Sequence, residues 1–168
     1  RPAVHTADDQ TSRPVGCNWW YYDHAVVLDV GGESILRADG SRVGDRNWRN
    51  LLSILRDHRP RRPADGVILT IPAEDLLDGA PGSGQRLTNR ALELYGKLWQ
   101  AQKLLGLCLP VYVVVTKCDA LPSFDAFASA LPSRLRGDMF GWSNPYPVES
   151  AYRAEWLDEA FASLQTAL

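Results

Sequence analysis

The sequence predicts an α/β domain built on a mainly parallel sheet with an antiparallel hairpin strand. Three observations predict it. Short apolar, β-branched runs stand at residues 25–29, 66–72 and 110–116, bounded by Gly, Pro or charged residues. Amphipathic helical patterns lie between the later runs, the alternation expected of a parallel sheet. Two of the runs lead into a carboxylate, Asp29 and Asp119. In open α/β sheets ligands bind outside the carboxyl ends of the strands.

Each element follows from local chemistry. Residues 1–16 are polar and contain Pro and Gly, which reads as a loop or flexible entry. In "CNWWYYDHAVVLDVGG" two β-prone runs, Trp19 to Tyr22 and Ala25 to Asp29, flank Asp23-His24. That is the pattern of a hairpin with a tight turn. The second run is apolar on both faces, as an interior strand is. The Gly-rich, charged residues 31–46 read as a loop. Trp48, Leu51, Leu52 and Leu55 recur at i, i+3, i+4 and i+7 and predict a helix, which Pro60 and Pro63 end.

"GVILTIP" at 66–72 is a second apolar strand. "AEDLLDGAPGSGQR" reads as a helical turn and then a loop. Leu87, Ala91, Leu94, Leu98, Ala101 and Leu105 trace one face of a long helix. "LPVYVVVTKCD" is a third interior strand. Phe124, Phe127, Leu131 and Leu135 mark a helix bent at Pro132. Residues 137–148 form a Gly, Pro and aromatic connection, and Tyr152, Trp156, Ala160 and Leu164 mark the last helix. The expected organisation is an entry at 1–16, one α/β domain at 17–148, and a C-terminal helix at 149–168 packing on the same domain.

Composition bounds the function. The chain has 168 residues, about one domain's worth. A net charge of -2 argues against a nucleic-acid binder. Cys17, Cys108 and Cys118 are odd in number and lack C-x-x-C spacing, the usage of free thiols in a reducing compartment. No apolar run reaches the roughly 18 residues that span a bilayer. The chain begins without Met, so it is expected to be cut from something longer.

Two strand ends carry candidate chemistry. Asp29 can hold Mg2+ through water, because Mg2+ takes oxygen ligands and keeps part of its hydration. Gly32 leaves a backbone N–H open to a terminal phosphate. The competing reading is an acidic residue capping a Gly turn. In Thr116-Lys117-Cys118-Asp119 the Asp119 carboxylate can accept both N1–H and the exocyclic amine of guanine. The Lys117 stem can lie along base and ribose. The competing reading is a solvated strand end with a turn aspartate.

Other motifs are weaker. "GAPGSGQR", Gly79 to Arg86, satisfies G-x-x-x-x-G and then fails, with Gln85 and Arg86 where a P-loop needs Lys and Ser or Thr. It reads as a flexible loop. Arg56, His58, Arg59, Arg61 and Arg62 end a helix and compensate its dipole, or meet a partner or an anionic lipid surface. Trp19, Trp20, Tyr21 and Tyr22 offer faces on which bases could stack, and read rather as hairpin core and an edge-strand surface.

"CNWWYYDHAVVLDVGG", "LLSILRDHRPRRPADGVILTIPAEDLL" and "PVYVVVTKCDALPSF" together resemble the cytoplasmic domain of the IcmF-like (TssM) family of type VI secretion inner-membrane proteins. The resemblance covers about residues 16–145, and "RPRRPADGVI" is its most specific block. It implies a Ras-type, P-loop-NTPase-like fold with helices on both faces, whose first strand and P-loop lie upstream of the aromatic hairpin and are absent from this chain. It implies a place on the cytoplasmic face of the bacterial inner membrane, in a longer membrane protein. The implied partners are other membrane-complex and baseplate proteins, with the arginines 56, 59, 61 and 62 available to the membrane surface. The implied cofactor is GTP or ATP with Mg2+. Asp29 and Gly32 match the Mg2+ and γ-phosphate motif; Thr116, Lys117 and Asp119 match the base motif.

Two departures matter. An Asn usually begins the base motif, and Thr116 lacks its bidentate amide, which blunts guanine preference. Glu33 stands where a water-orienting Gln would serve hydrolysis, and an anion beside a γ-phosphate repels it unless a cation intervenes. Three functions compete: a scaffold in a secretion membrane complex, an NTP hydrolase driving assembly, and, outside the family, a stand-alone GTPase-like regulator.

Overall fold

The computed structural model describes residues 17–36, 43–77, 79, 82–133, 136 and 140–167. The side chain of Glu33, the entry at 1–16 and Leu135 lie outside the described residues. Two compact units divide the chain: Arg1–Pro63 with Thr88–Leu107, and Ala64–Leu87 with Cys108–Leu168.

The first unit opens on the predicted hairpin, β1 (Cys17–Tyr21) and β2 (Val26–Val30), antiparallel with Trp19 opposite Leu28 and Tyr21 opposite Val26. Aromatic and branched residues face each other across the ladder, which is what stabilises such a pair. Tyr22 N–H donates to Ala25 O at 2.8 Å and closes the turn around Asp23-His24. β2 was expected inside a sheet. Among the described residues it pairs with β1 alone, and Val26 and Val27 are exposed. Its two apolar faces mark a strand suited to burial on both sides, but no third strand covers its free edge here.

The region expected as a loop is partly helical. α1 (Gly32–Ile35) is a single turn, and α2 (Val43–His58) begins before the predicted Trp48. Residues 37–42 lie outside the described residues. A Cβ on Gly44 would stand 2.9 Å from the Ile35 carbonyl oxygen, so the start of α2 approaches α1 as only glycine allows. α2 buries Leu52 and ends at His58, ahead of Pro60 as predicted.

The second unit holds β3 (Val67–Pro72) and β4 (Val111–Thr116), parallel and in register from Val67 opposite Val111 to Pro72 opposite Thr116. Pro72 is tolerated because it is the last residue of its strand. The chain is thus mixed α/β, with one parallel and one antiparallel pair. The four described strands form two two-stranded sheets rather than one. β4 was expected as an interior strand, yet Val111 to Val115 are all exposed, Tyr112 by 59%. As with β2, its Val-rich character suits a covered strand, and the described residues cover neither face.

α3 (Ala73–Leu77) follows β3 directly. α4 (Ser83–Leu105) begins within the stretch read as a flexible loop, so Gly84, Gln85 and Arg86 are its first turn. Its start lies in the second unit and its greater part in the first. Lys97, Ala101 and Leu105 are its buried residues. After β4 come a 3-10 turn (Cys118–Ala120), α5 (Phe124–Ala130) and α6 (Glu155–Ala167).

α5 stops at Ala130 rather than bending at Pro132, because the residue before a proline is biased out of the helical region. Arg136 closes the exit, donating from Nε to Leu131 O at 2.9 Å and from Nη2 to Ser129 O at 2.6 Å. These bonds satisfy carbonyls near the end of the helix. Trp156 of α6 stacks on Tyr146, centroids 4.9 Å apart, and meets Tyr152 edge-on. Tyr152 belongs to the expected aromatic set but precedes the helix.

Candidate functional site

The parallel register sets the geometry of the second unit's candidate site. Because Pro72 lies opposite Thr116, β3 and β4 deliver the residues that follow them to one edge. β3 delivers Glu74 and Asp75 in the first turn of α3. β4 delivers Thr116, Lys117 and Asp119.

Thr116 is half-buried at the end of the strand. Lys117 adopts φ 55 and ψ 35, a left-handed conformation uncommon for a residue with a Cβ. That kink turns the chain into the 3-10 turn, where Ala120 N–H donates to Lys117 O and Leu121 N–H to Cys118 O. Cys118 leans back on the strand, its Sγ 3.7 Å from Val115 O. Asp119 is exposed on the turn.

The Lys117 ammonium donates to Glu74 Oε1 at 2.7 Å. Glu74, by hydrogen bond and then by charge, raises the lysine's pKa above its ordinary value, with Asp75 and Asp119 adding to the effect. The cation expected to lie along a base is therefore held by a carboxylate of the neighbouring strand's exit. Glu74 was not singled out in the sequence. The signal was present, since it follows an apolar strand as Asp29 and Asp119 do.

The first unit carries the other two candidates. Asp29 is exposed, one residue from the end of β2 and opposite Asn18. Burial first, and Asp29 second, push the Cys17 thiol up from its usual value. Gly32 opens α1, and the Arg90 guanidinium lies against it, Nη2 standing 3.4 Å from where a Cβ would be. Arg90, like Glu74, was not anticipated. Beside it a buried frame holds the helices. Lys97, 4% exposed, donates to Asp45 Oδ1 at 2.6 Å, and Trp48 Nε1 donates to Lys97 O at 3.1 Å.

Among the described residues no group of three or more His, Cys, Asp and Glu could hold a metal ion by side chains. No described helix is long and apolar enough to cross a membrane.

Comparison with known proteins identifies the lineage. Residues 42–168 match the IcmF-related N-terminal domain family. The chain is 31% identical over 160 residues to the type VI secretion system component TssM1 of Pseudomonas aeruginosa, a match covering 90% of the chain and 14% of that relative. The chain thus spans about one seventh of the relative's length. No solved structure matches it. With the family's domain matched over most of its length, the chain belongs to the IcmF-related (TssM) family of type VI secretion components.

Proposed function

We propose that this chain is the cytoplasmic domain of a type VI secretion membrane-complex component, anchoring the apparatus and contacting its baseplate as a scaffold. The observation that carries the scaffold reading is the Lys117–Glu74 ion pair. It engages the lysine of the base corner with an internal carboxylate. The site is then a degenerate nucleotide site on a Ras-like, P-loop-NTPase-like fold with helices on both faces of its sheet. Each unit is read by itself: in the first, Asp29 would hold Mg2+ through water and Gly32 would meet phosphate, and in the second, Thr116, Lys117 and Asp119 would meet the base of GTP or ATP.

The Arg-rich exit of α2 supports a second contact. Arg59 and Arg61 are exposed, and Arg56 pairs with its own neighbour Asp57 at 3.3 Å. With Arg62 they form a basic end suited to the anionic cytoplasmic face of the inner membrane.

The test uses the full-length protein in a secreting strain. Asp29→Ala with Asp119→Asn should leave type VI cargo release near wild type, because a scaffold needs no nucleotide cycle. Loss of release at normal protein level would sink the scaffold reading and favour a Mg-dependent GTPase or ATPase that drives assembly. Direct titration of fluorescent GTP and ATP with Mg2+ separates the two further. Tight binding with turnover belongs to the hydrolase alone.

A further inference from the structure

We propose that Arg90 of α4 is an anion-binding residue that receives a phosphate at Gly32. The inference rests on the nucleotide-site reading in taking that phosphate as the terminal one of a nucleoside triphosphate. The structure supplies the place of Arg90 beside that glycine.

Three observations carry it. First, the guanidinium is already at the glycine: its Nη2 stands 3.4 Å from the point a Cβ would occupy on Gly32. The side-chain-free face that leaves the Gly32 amide open is thus the face beside which a cation stands. A guanidinium presents a planar fork of N–H donors that matches two oxygens of one phosphate. Second, Arg90 is exposed, and no ion-pair partner for it stands among the described residues.

Third, its position is built. Arg90 and Lys97 are seven residues apart on α4 and so share a helix face. Lys97 fixes that face to α2 through Asp45, and Trp48 fixes it again through the Lys97 carbonyl. α2 in turn meets α1 at the Gly44–Ile35 approach, and Gly32 opens α1. A chain of close contacts therefore runs from Gly32 to the helix that carries Arg90.

The placement also answers a conflict in the sequence. Glu33 follows Gly32, and a phosphate arriving beside a carboxylate needs a cation near it. Arg90 supplies that cation from a distant part of the chain.

The experiment is an NMR titration of the isotope-labelled chain with magnesium pyrophosphate, followed by Mg-GTP and Mg-GDP. Pyrophosphate should move the Gly32 amide and the Arg90 Nε signal together. Arg90→Ala should abolish the Gly32 shift with an unchanged melting temperature, and Arg90→Lys should restore part of it. In the nucleotide arm, Arg90→Ala should weaken GTP about tenfold while GDP changes less than about twofold. Pyrophosphate that leaves both signals unmoved at millimolar concentration overturns the assignment, as does an equal loss of GTP and GDP in Arg90→Ala. A wild-type chain that takes pyrophosphate at Gly32 and Arg90 yet binds neither nucleotide overturns only the nucleotide reading.

Discussion

Replacing Lys97 with methionine should destabilise the chain by about 3 kcal/mol, although the ion pair it breaks contributes little net stability as a whole. The Lys97 side chain is 5% exposed and that of Asp45 is 18% exposed, with 2.6 Å between Nζ and Oδ1. At an effective dielectric of about 20 the attraction at that distance is roughly 6 kcal/mol. Withdrawing each ion from water costs several kcal/mol, so the two effects nearly cancel. Removing one partner does not cancel. It leaves the other charge behind, typically at about 3–5 kcal/mol. Asp45 keeps some solvent and a further interaction, which sets Lys97→Met at the lower end. Asp45→Leu, which strands the more deeply buried ammonium, should cost about 4–5 kcal/mol. The double variant should return to within about 1 kcal/mol of wild type, because a methionine and a leucine fill the space without charge. Urea unfolding followed by far-ultraviolet circular dichroism measures all four proteins, with a shifted midpoint at constant slope. Single losses under about 1 kcal/mol that add within about 0.5 kcal/mol in the double variant would refute the reasoning.

Glycine substitutions should split in sign. Gly44→Ala drives a Cβ to within 2.9 Å of a backbone oxygen and should cost about 1–3 kcal/mol, whereas Gly96→Ala, mid-α4 with nothing within 4 Å, should gain up to about 1 kcal/mol; thermal melts of the two variants decide it. The Lys117 pair should show in its titration. Glu74 raises the folded pKa above the ordinary 10.5, so its stabilisation is fully present below that pH and is lost as pH rises through the folded value. In Glu74→Gln the Lys117 midpoint, followed by carbon NMR at Cε, should fall. Tyr146 should behave alike. Its hydroxyl donates to Glu159 at 3.0 Å, which raises its pKa above 10.0, so the contact persists below that pH and is lost as the phenol ionises at the higher folded value. Ultraviolet titration of Glu159→Gln should show that phenolate forming at lower pH.

Local structure was legible wherever pattern and punctuation agreed. The Val26–Leu28 run against the Trp19–Tyr21 aromatics announced the hairpin, and Pro60 announced the end of α2. Strand burial was not legible. An all-apolar strand such as Val111–Val115 reads as interior whatever covers it, because composition reports a demand for cover and says nothing of what meets it. α1 and the first turn of α4 were missed because glycines at 31, 32, 82 and 84 outweighed the helical pattern beside them. Strand ends pointed to Asp29 in the first unit and to the Lys117–Asp119 turn in the second as candidates. Glu74 and Arg90 stand beside residues 43 and 58 positions away in sequence, and such pairings come from register and helix packing, which no local pattern encodes.

The two indoles described above have an optical consequence. Trp48 is bonded to a backbone carbonyl in the first unit, and Trp156 is stacked on a tyrosine in the second. Indole emission responds to polarity and to quenching neighbours, so each unit carries a fluorophore in a distinct environment. Two variants, one keeping Trp48 and the other Trp156 with the remaining five tryptophans replaced by phenylalanine, report on each unit separately. Coincident unfolding curves from the two would identify a single cooperative transition, and separated curves would identify two.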